Sequence, residues 1–294
     1  MTINRIGFIG LGIMGKPMVN NLLHANYKLG LFARNPQALE SFTSNNIDFF
    51  NNPAELAKNC DITISIVSDS PDAEEIITGT NGIIHGAKPN HLVIDMSTIS
   101  PEITRDLAQQ LANKGIDMLD APVSGGEQGA IDGTLSIMVG GKTEIFSYAL
   151  PVLKILGKNI VHIGEHGAGQ VSKACNQIVA AQTVAAVGEA FLLAKTSGVD
   201  PHKVRKALLG GFANSKVLEL HGKRILENNF APGFKAELHY KDIGIALKSA
   251  LENDISIPGT EIVETYLKIL VDQGNGELDS SAIGKIVIDQ NNVK

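Results

Sequence analysis

The residues with the clearest chemical content stand near the start of the chain, where Gly10, Leu11, Gly12, Ile13, Met14 and Gly15 form a G-x-G-x-x-G loop. The loop follows a strand-like run ending at Ile9 and opens an amphipathic stretch with helical spacing, which is the context the fingerprint requires. Gly10 permits a tight turn, Gly12 lets an anion approach the backbone, and Gly15 lets helix and strand pack closely. The free N–H groups of the helix N-terminus then face a pyrophosphate. The alternative, a glycine-rich turn without a ligand, does not need the strand and helix that flank this one. The next strand-like run ends Leu31-Phe32-Ala33-Arg34-Asn35. An acid at its end would hold a ribose 2′-hydroxyl and repel a 2′-phosphate. Ala33 occupies that position and Arg34 follows, which points to NADP rather than NAD, unless Arg34 is only a solvated surface residue.

The elements that must position this loop are legible as a repeating pattern. Arg5–Gly10, Lys28–Phe32, Asp61–Val67, Leu92–Met96 and Met118–Val123 are short β-branched runs that predict strands. Helices are predicted between them near Ile13–Ala25, Pro36–Ser44, Asp72–Ile77 and Pro101–Asn113, giving a βαβα order and a parallel, doubly wound Rossmann sheet. Asn35-Pro36 and Ser100-Pro101 carry a capping side chain ahead of a first-turn proline. Thr134–Gly140 and Asn159–Ile163 are further strand candidates, after which the pattern changes at Gly164. The predicted domains are therefore 1–164, α/β and dinucleotide-binding, and 165–294, all-α. An alanine-rich, proline-free stretch from Gln170 to about Lys195 predicts one long buried helix joining them. Pro201–Leu209, Lys216–Leu226, Glu237–Glu252, Pro258–Val271 and Ser281–Asp289 are helical by pattern, with no convincing strand among them.

Composition narrows the class. A length of 294 residues suits two domains, and 44% hydrophobic with 19% charged residues is a globular balance. No apolar run reads as long enough to cross a bilayer, and the N-terminus lacks signal-peptide features, so the expectation is a cytoplasmic protein with no membrane partner. Cys60 and Cys175 lack ligand or framework spacing, so neither disulfide nor metal site is expected. The net charge of −6 argues against a nucleic-acid partner.

Two further motifs give the loop a chemistry. Asp120-Ala121-Pro122-Val123-Ser124-Gly125-Gly126 and Gly167-Ala168-Gly169-Gln170-Val171-Ser172-Lys173-Ala174-Cys175-Asn176-Gln177, with Phe234-Lys235-Ala236-Glu237-Leu238-His239-Tyr240-Lys241-Asp242 later, resemble the β-hydroxyacid dehydrogenase family over essentially the whole chain. The resemblance implies an oxidoreductase with a Rossmann domain, a long interdomain helix and a helical domain that forms homodimers or homotetramers. Its substrate would be a small carboxylate-bearing aldehyde or alcohol. Lys173 alone would read as a solvated lysine near a helix start; within its motif it becomes the acid/base residue. A desolvated lysine suits proton donation because burial lowers its pKa toward neutrality. Asn176 and Gln177 lie three and four residues on, hence on the same helix face. By the same resemblance Ser124, Gly125 and Gly126 receive the substrate carboxylate and Asn176 contacts the substrate. Gln177 stands where the family usually has asparagine, and joins them. Val67, Ser68, Asp72 and Thr98 fall where the family contacts nicotinamide and ribose, and Lys241 where a lysine reaches the cofactor. The Gly125–Gly141 and Phe230–Asp242 stretches look most like the branch that reduces tartronate semialdehyde to D-glycerate, with 3-hydroxyisobutyrate, glyoxylate and succinic semialdehyde chemistry as alternatives. A His/Asp proton-transfer pair is the main chemical rival, but His162, His166 and His239 sit in no comparable motif. A binding module that had lost its chemistry would be expected to lack Lys173.

Overall fold

Isoleucine, leucine and valine fill the short runs that open each repeat of the first half, and burial on both faces turns those runs into strands. In the computed structural model, which describes residues 3–291, the chain divides into two compact units, Met1–Lys173 and Ala174–Lys294. The first contains β1 (Arg5–Ile9), β2 (Lys28–Phe32), β3 (Ile47–Phe49), β4 (Ile62–Ser65), β5 (Leu92–Asp95), β6 (Asp117–Asp120), β7 (Val123–Ser124), β8 (Leu135–Gly140) and β9 (Gly157–Gly164). They form one sheet in the order β3-β2-β1-β4-β5-β6-β8-β7, with β9 on β8. The first six strands run parallel. β8 is antiparallel to β6 and β7. Chain order reverses between β1 and β4, and in open α/β sheets ligands bind outside the carboxyl ends of the strands at that reversal.

Helices α1 (Gly15–His24), α2 (Pro53–Asn59), α3 (Ser70–Thr78), α4 (Ile83–Gly86), α5 (Pro101–Ala112), α6 (Gly126–Ile131) and α7 (Thr143–Leu156) connect the strands. Phe8, Met18, Leu22, Leu31, Leu135 and Leu153 belong to one apolar cluster of the sheet, and Leu56, Ile77, Leu107 and Leu111 to another. Three sequence expectations change in this unit. The strand predicted over Met118–Val123 stops at Asp120, and Val123 belongs to the separate strand β7 beyond Pro122. The helix predicted over Pro36–Ser44 is a single 3₁₀ turn, Pro36–Leu39, capped as expected by Asn35 but burying no residue, so nothing extends it. α7 escaped the pattern because Pro151, which reads as a helix stop, lies inside it.

α8 (Ala168–Thr196) starts in the first unit and continues into the second, followed by α9 (Pro201–Leu209), α10 (Lys216–Leu226), α11 (Ala236–Glu252), α12 (Pro258–Asp272) and α13 (Ile283–Asp289). The division after Lys173 falls inside α8, whose first turn is tied to the sheet: Gly167 and Gln170 donate backbone N–H groups to Asp120. The second unit packs around Val184, Phe191, Leu218, Ile243, Leu267 and Ile283. By length and composition α8 meets the requirements of a membrane span, contrary to the sequence expectation that no run does so. Its apolar character has a use within the second unit, where Ala181, Val184, Val187 and Phe191 are buried. The helix is not buried all round, since Val179 and Leu193 are exposed.

Candidate active site

The glycine loop leaves β1 at the reversal point. Gly10 has φ +99°, and a Cβ there would lie 2.0 Å from the Ile66 carbonyl oxygen; one on Gly15 would lie 1.8 Å from the Gly10 oxygen. Those two positions are glycine because the fold has no room. Gly12 differs, since a Cβ there would meet nothing within 4 Å, so its backbone borders open space. Asn52, Asp69 and Ser100 cap α2, α3 and α5, but α1 begins at Met14 with no side-chain cap and no acid in its first turn. Pro17 has no N–H and Lys16 N–H already donates to the Gly12 carbonyl, so what the helix start offers an anion is the N–H groups ahead of them and a positive dipole end that no side chain neutralises. A cavity of about 470 Å³ opens there, lined by Gly12, Ile13 and Lys16 with Glu127 and Ile131 of α6. Leu11 lines the same cavity, and Met14 stands at the helix start without lining it; the open backbone at Gly12 is where a dinucleotide pyrophosphate would fit.

At the neighbouring strand ends a buried network fixes the backbone. Val67 N–H donates to Ser97 Oγ (2.8 Å), whose hydroxyl donates to Asp95 Oδ1 (2.6 Å); Ser65 Oγ donates to the same oxygen. Burial pushes the Asp95 carboxyl above the usual carboxylate range, opposed by these hydroxyls. Gln170, also buried, spans Thr98: its Nε2 donates to the Ser97 carbonyl (2.9 Å) and its Oε1 accepts from Ile99 N–H (3.2 Å). Thr98 is half-buried and Ser68 exposed at the same edge. At the end of β2, Arg34 is 87% exposed and pairs with Asp72 at 2.9 Å, joining two residues predicted separately.

Lys173 is drawn into the sheet edge. It is buried, and its Nζ donates to the Val123 carbonyl at 2.8 Å, beside Ser124. Gly125 (φ +142°) and Gly126 (φ +63°) then turn the backbone into α6, which also starts without a side-chain cap. The helix carrying Lys173 is anchored by Asp120, whose two oxygens accept from Gly167 N–H (2.8 Å) and Gln170 N–H (3.0 Å). A carboxylate at a helix start also opposes the positive dipole end. Burial nonetheless pushes the Asp120 carboxyl up. In the sequence Asp120 and Gln170 stand out only as parts of motifs. Gln170 precedes Lys173 by three residues, and that helical spacing was the available signal for its place beside the site.

In the second unit Asn176 Nδ2 donates to Gln177 Oε1 (2.8 Å), Gln177 Nε2 donates to Asp242 Oδ2 (2.6 Å), and Asp242 Oδ1 pairs with Lys241 at 3.0 Å. Asn176, Gln177 and Lys241 are thus joined through Asp242, which the sequence left beside Lys241 without a task. The histidines have structural neighbours: His162 bonds the Gly141 carbonyl and stacks on Phe146, His166 bonds the Met118 carbonyl, and His239 packs against Phe234.

Residues 5–164 match the model of the NAD binding domain of 6-phosphogluconate dehydrogenase, and residues 167–287 that of the NAD-binding region of NADP-dependent 3-hydroxyisobutyrate dehydrogenase. The chain is 42% identical to the 2-hydroxy-3-oxopropionate reductase of Escherichia coli (strain K12), over 95% of each chain. It is 34% identical to a 3-hydroxyisobutyrate dehydrogenase of Pseudomonas aeruginosa, over 96% of this chain and 97% of the relative. Among solved structures, the 3-hydroxyisobutyrate dehydrogenase of Mycobacterium tuberculosis with L-serine superposes with a TM-score of 0.88 at 30% identity, covering 97% of this chain and 99% of that one.

Proposed function

Given that the chain belongs to the 3-hydroxyisobutyrate dehydrogenase family and is an NAD(P)-dependent β-hydroxyacid dehydrogenase, we propose that it reduces tartronate semialdehyde to D-glycerate, preferring NADP. The observation that carries the chemistry is the buried Lys173 Nζ held on the Val123 carbonyl beside Ser124. The substrate rests on the similarity to the E. coli reductase across the whole chain. Bound NAD(P)H supplies the hydride to the aldehyde carbon. Lys173, as an ammonium, gives a proton to the oxygen that becomes the alcohol. The bond to the Val123 carbonyl fixes that ammonium beside Ser124. The Ser124 hydroxyl and the open backbone of Gly125 and Gly126 receive the carboxylate, and Asn176 and Gln177 complete the substrate side. Gly10 to Gly15 hold the pyrophosphate, while Val67, Ser68, Asp72 and Thr98 line nicotinamide and ribose. Lys241 reaches the cofactor from the helical unit. The NADP preference rests on Ala33, which leaves no acid against a 2′-phosphate, and on Arg34 beside it. A homodimer or homotetramer in the cytoplasm completes the reading; the two cysteines, one buried and one exposed, are both free.

The test is kcat/KM for tartronate, methylmalonate and succinic semialdehydes and glyoxylate, each with NADPH and NADH. Tartronate semialdehyde with NADPH should lead. A lead for methylmalonate semialdehyde would replace the substrate with that of 3-hydroxyisobutyrate chemistry, and equal values throughout would defeat a narrow substrate.

A further inference from the structure

Donor and acceptor chemistry along one run of side chains decides which end of the Asn176 amide faces outward. Asp242 is 3% exposed, and with Oδ1 on the Lys241 ammonium it offers only acceptors. Gln177 must therefore turn its NH₂ toward Asp242 Oδ2, at 2.6 Å, which sends its own oxygen the other way to accept Asn176 Nδ2 at 2.8 Å. With its NH₂ committed, Asn176 presents Oδ1 at the end of the run. The polarity does not depend on how either amide is drawn, because reversing one would set oxygen against oxygen or NH₂ against NH₂. Asn176 lies one helical turn beyond Lys173 on α8, on the same face.

Asn176 is half-buried, and its terminal oxygen can accept a hydrogen bond but cannot donate one. In a 2-hydroxy-3-oxo acid the carboxylate and the aldehyde oxygen are acceptors, and the 2-hydroxyl is the one donor. We infer that Asn176 Oδ1 accepts the hydroxyl on the carbon next to the reacting carbonyl, and that Gln177 and Asp242, acting through Asn176, are positioning residues that select 2-hydroxy semialdehydes over 2-methyl ones. The inference rests on the tartronate semialdehyde reading and deepens it. A 2-methyl analogue would leave the oxygen without its donor, and sites built around a substrate hydroxyl reject analogues lacking it much more strongly than apolar pockets reject a missing methylene.

The experiment compares kcat/KM for tartronate and methylmalonate semialdehydes in the wild type and in Gln177→Met, which keeps the length of the side chain and removes both amide groups. Wild type should favour the hydroxylated substrate by more than about 200-fold, beyond what an apolar pocket gives. Gln177→Met should bring that ratio down to about threefold, mainly by losing rate on tartronate semialdehyde, because the Asn176 amide is then free to turn over. A purely structural role would lower melting temperature or both rates without changing the ratio. An unchanged ratio, or equal losses on both substrates, overturns the inference. If Gln177→Met does not fold, Asn176→Ala removes the oxygen and leaves the Asp242–Lys241 pair in place; a preserved ratio there overturns the inference equally. A wild type without preference for tartronate semialdehyde defeats the substrate reading, whereas a wild-type preference that survives both variants defeats only the selector.

Discussion

Asp120 in the first unit and Asp279 in the second are both buried, and each gathers backbone ahead of a helix that bears a proposed active-site lysine, Lys173 on α8 or Lys241 on α11. Asp120 accepts two N–H groups, from Gly167 and Gln170, and burial still leaves its carboxyl above the usual range. Asp279 accepts from Gly233 N–H, Phe234 N–H, Ser281 N–H and Ser281 Oγ, with His221 and Arg224 at 3.5 and 3.7 Å. Burial pushes its carboxyl up as well, but the His221 and Ser281 bonds and the backbone N–H groups outweigh it and hold the carboxyl well below the usual range. Both are closed to solvent, but Asp120 is the more deeply enclosed and has the fewer donors, so desolvation prevails there while the donors prevail at Asp279. The Asp279 anchor is a fixed charge, whereas the Asp120 anchor, under the helix of Lys173, sits against Asp95, which is itself pushed up mainly by burial and partly by Asp120.

If chemistry belongs to the first unit and cofactor orientation to the second, the two lysines should fail differently. Lys173→Ala should lower kcat by about 10³-fold while leaving the NADPH Kd near that of the wild type. Lys241→Ala should instead raise the NADPH KM by roughly tenfold with kcat largely retained, as loss of one exposed or half-exposed cation on a phosphate group would. Stopped-flow turnover with fluorescence titration of NADPH separates them, and a comparable kcat loss in both would break the division.

The next largest effect concerns Gln170. Gln170→Leu leaves the Ser97 carbonyl and the Ile99 N–H buried without their partner, at about 1–3 kcal/mol each. The Thr98 segment would then come loose from the helix that carries Lys173. The expected result is a lower Tm together with a severalfold rise in the NADPH KM; a lower Tm with unchanged kinetics would make Gln170 a structural brace only. Ala33→Asp should leave Tm unchanged and act on cofactor choice alone: a carboxylate at the end of β2 should shift the NADPH/NADH ratio of kcat/KM toward NADH by about threefold, since it both repels a 2′-phosphate and accepts a ribose hydroxyl. An unmoved ratio would mean that Arg34, already paired with Asp72, does not read the 2′ position.

What the sequence made legible was local. β2, α9 and α10 begin and end as predicted, because a short apolar run, Asp200 ahead of Pro201, and Ser215 accepting from Leu218 N–H are signals carried within a few residues. α2, α4 and α6 are a few residues long and too short to show a period, and α7 hid behind Pro151. The glycine loop was legible because steric need at Gly10 and Gly15 leaves a compositional trace. Lys173 could be singled out through its motif, but the Val123 carbonyl that holds it lies 50 positions away, and Asp242 is 65 positions from the Gln177 it binds. Neither pairing leaves a periodic signature, since each depends on where the sheet edge or the helix packing brings distant chain together.

The smallest effect is also the sharpest test of the opening contrast, because it predicts a sign. Asp279 has a depressed folded carboxyl, so its charge stabilises the fold above the unfolded carboxylate range of about 4, and that stability is lost as pH falls through the folded value. Asp120 has a raised one, so the folded state holds its proton more tightly than the unfolded state does. Its contribution is fully present below about pH 4 and is lost as pH rises through the folded value. Consider the Tm difference between wild type and Asp279→Asn: it should be constant from pH 7 to 5 and narrow below about 4. The difference for Asp120→Asn should widen instead as pH falls from 7 toward 4, because only the wild type regains stability on protonation. Each change should be a few degrees, about what 1 kcal/mol does to the Tm of a unit of this size. Scanning calorimetry of the three proteins across that range gives two slopes. Slopes of the same sign would mean that the two N–H groups of α8 stabilise the Asp120 charge as fully as the larger set of donors stabilises Asp279, and the difference between the two anchors would disappear.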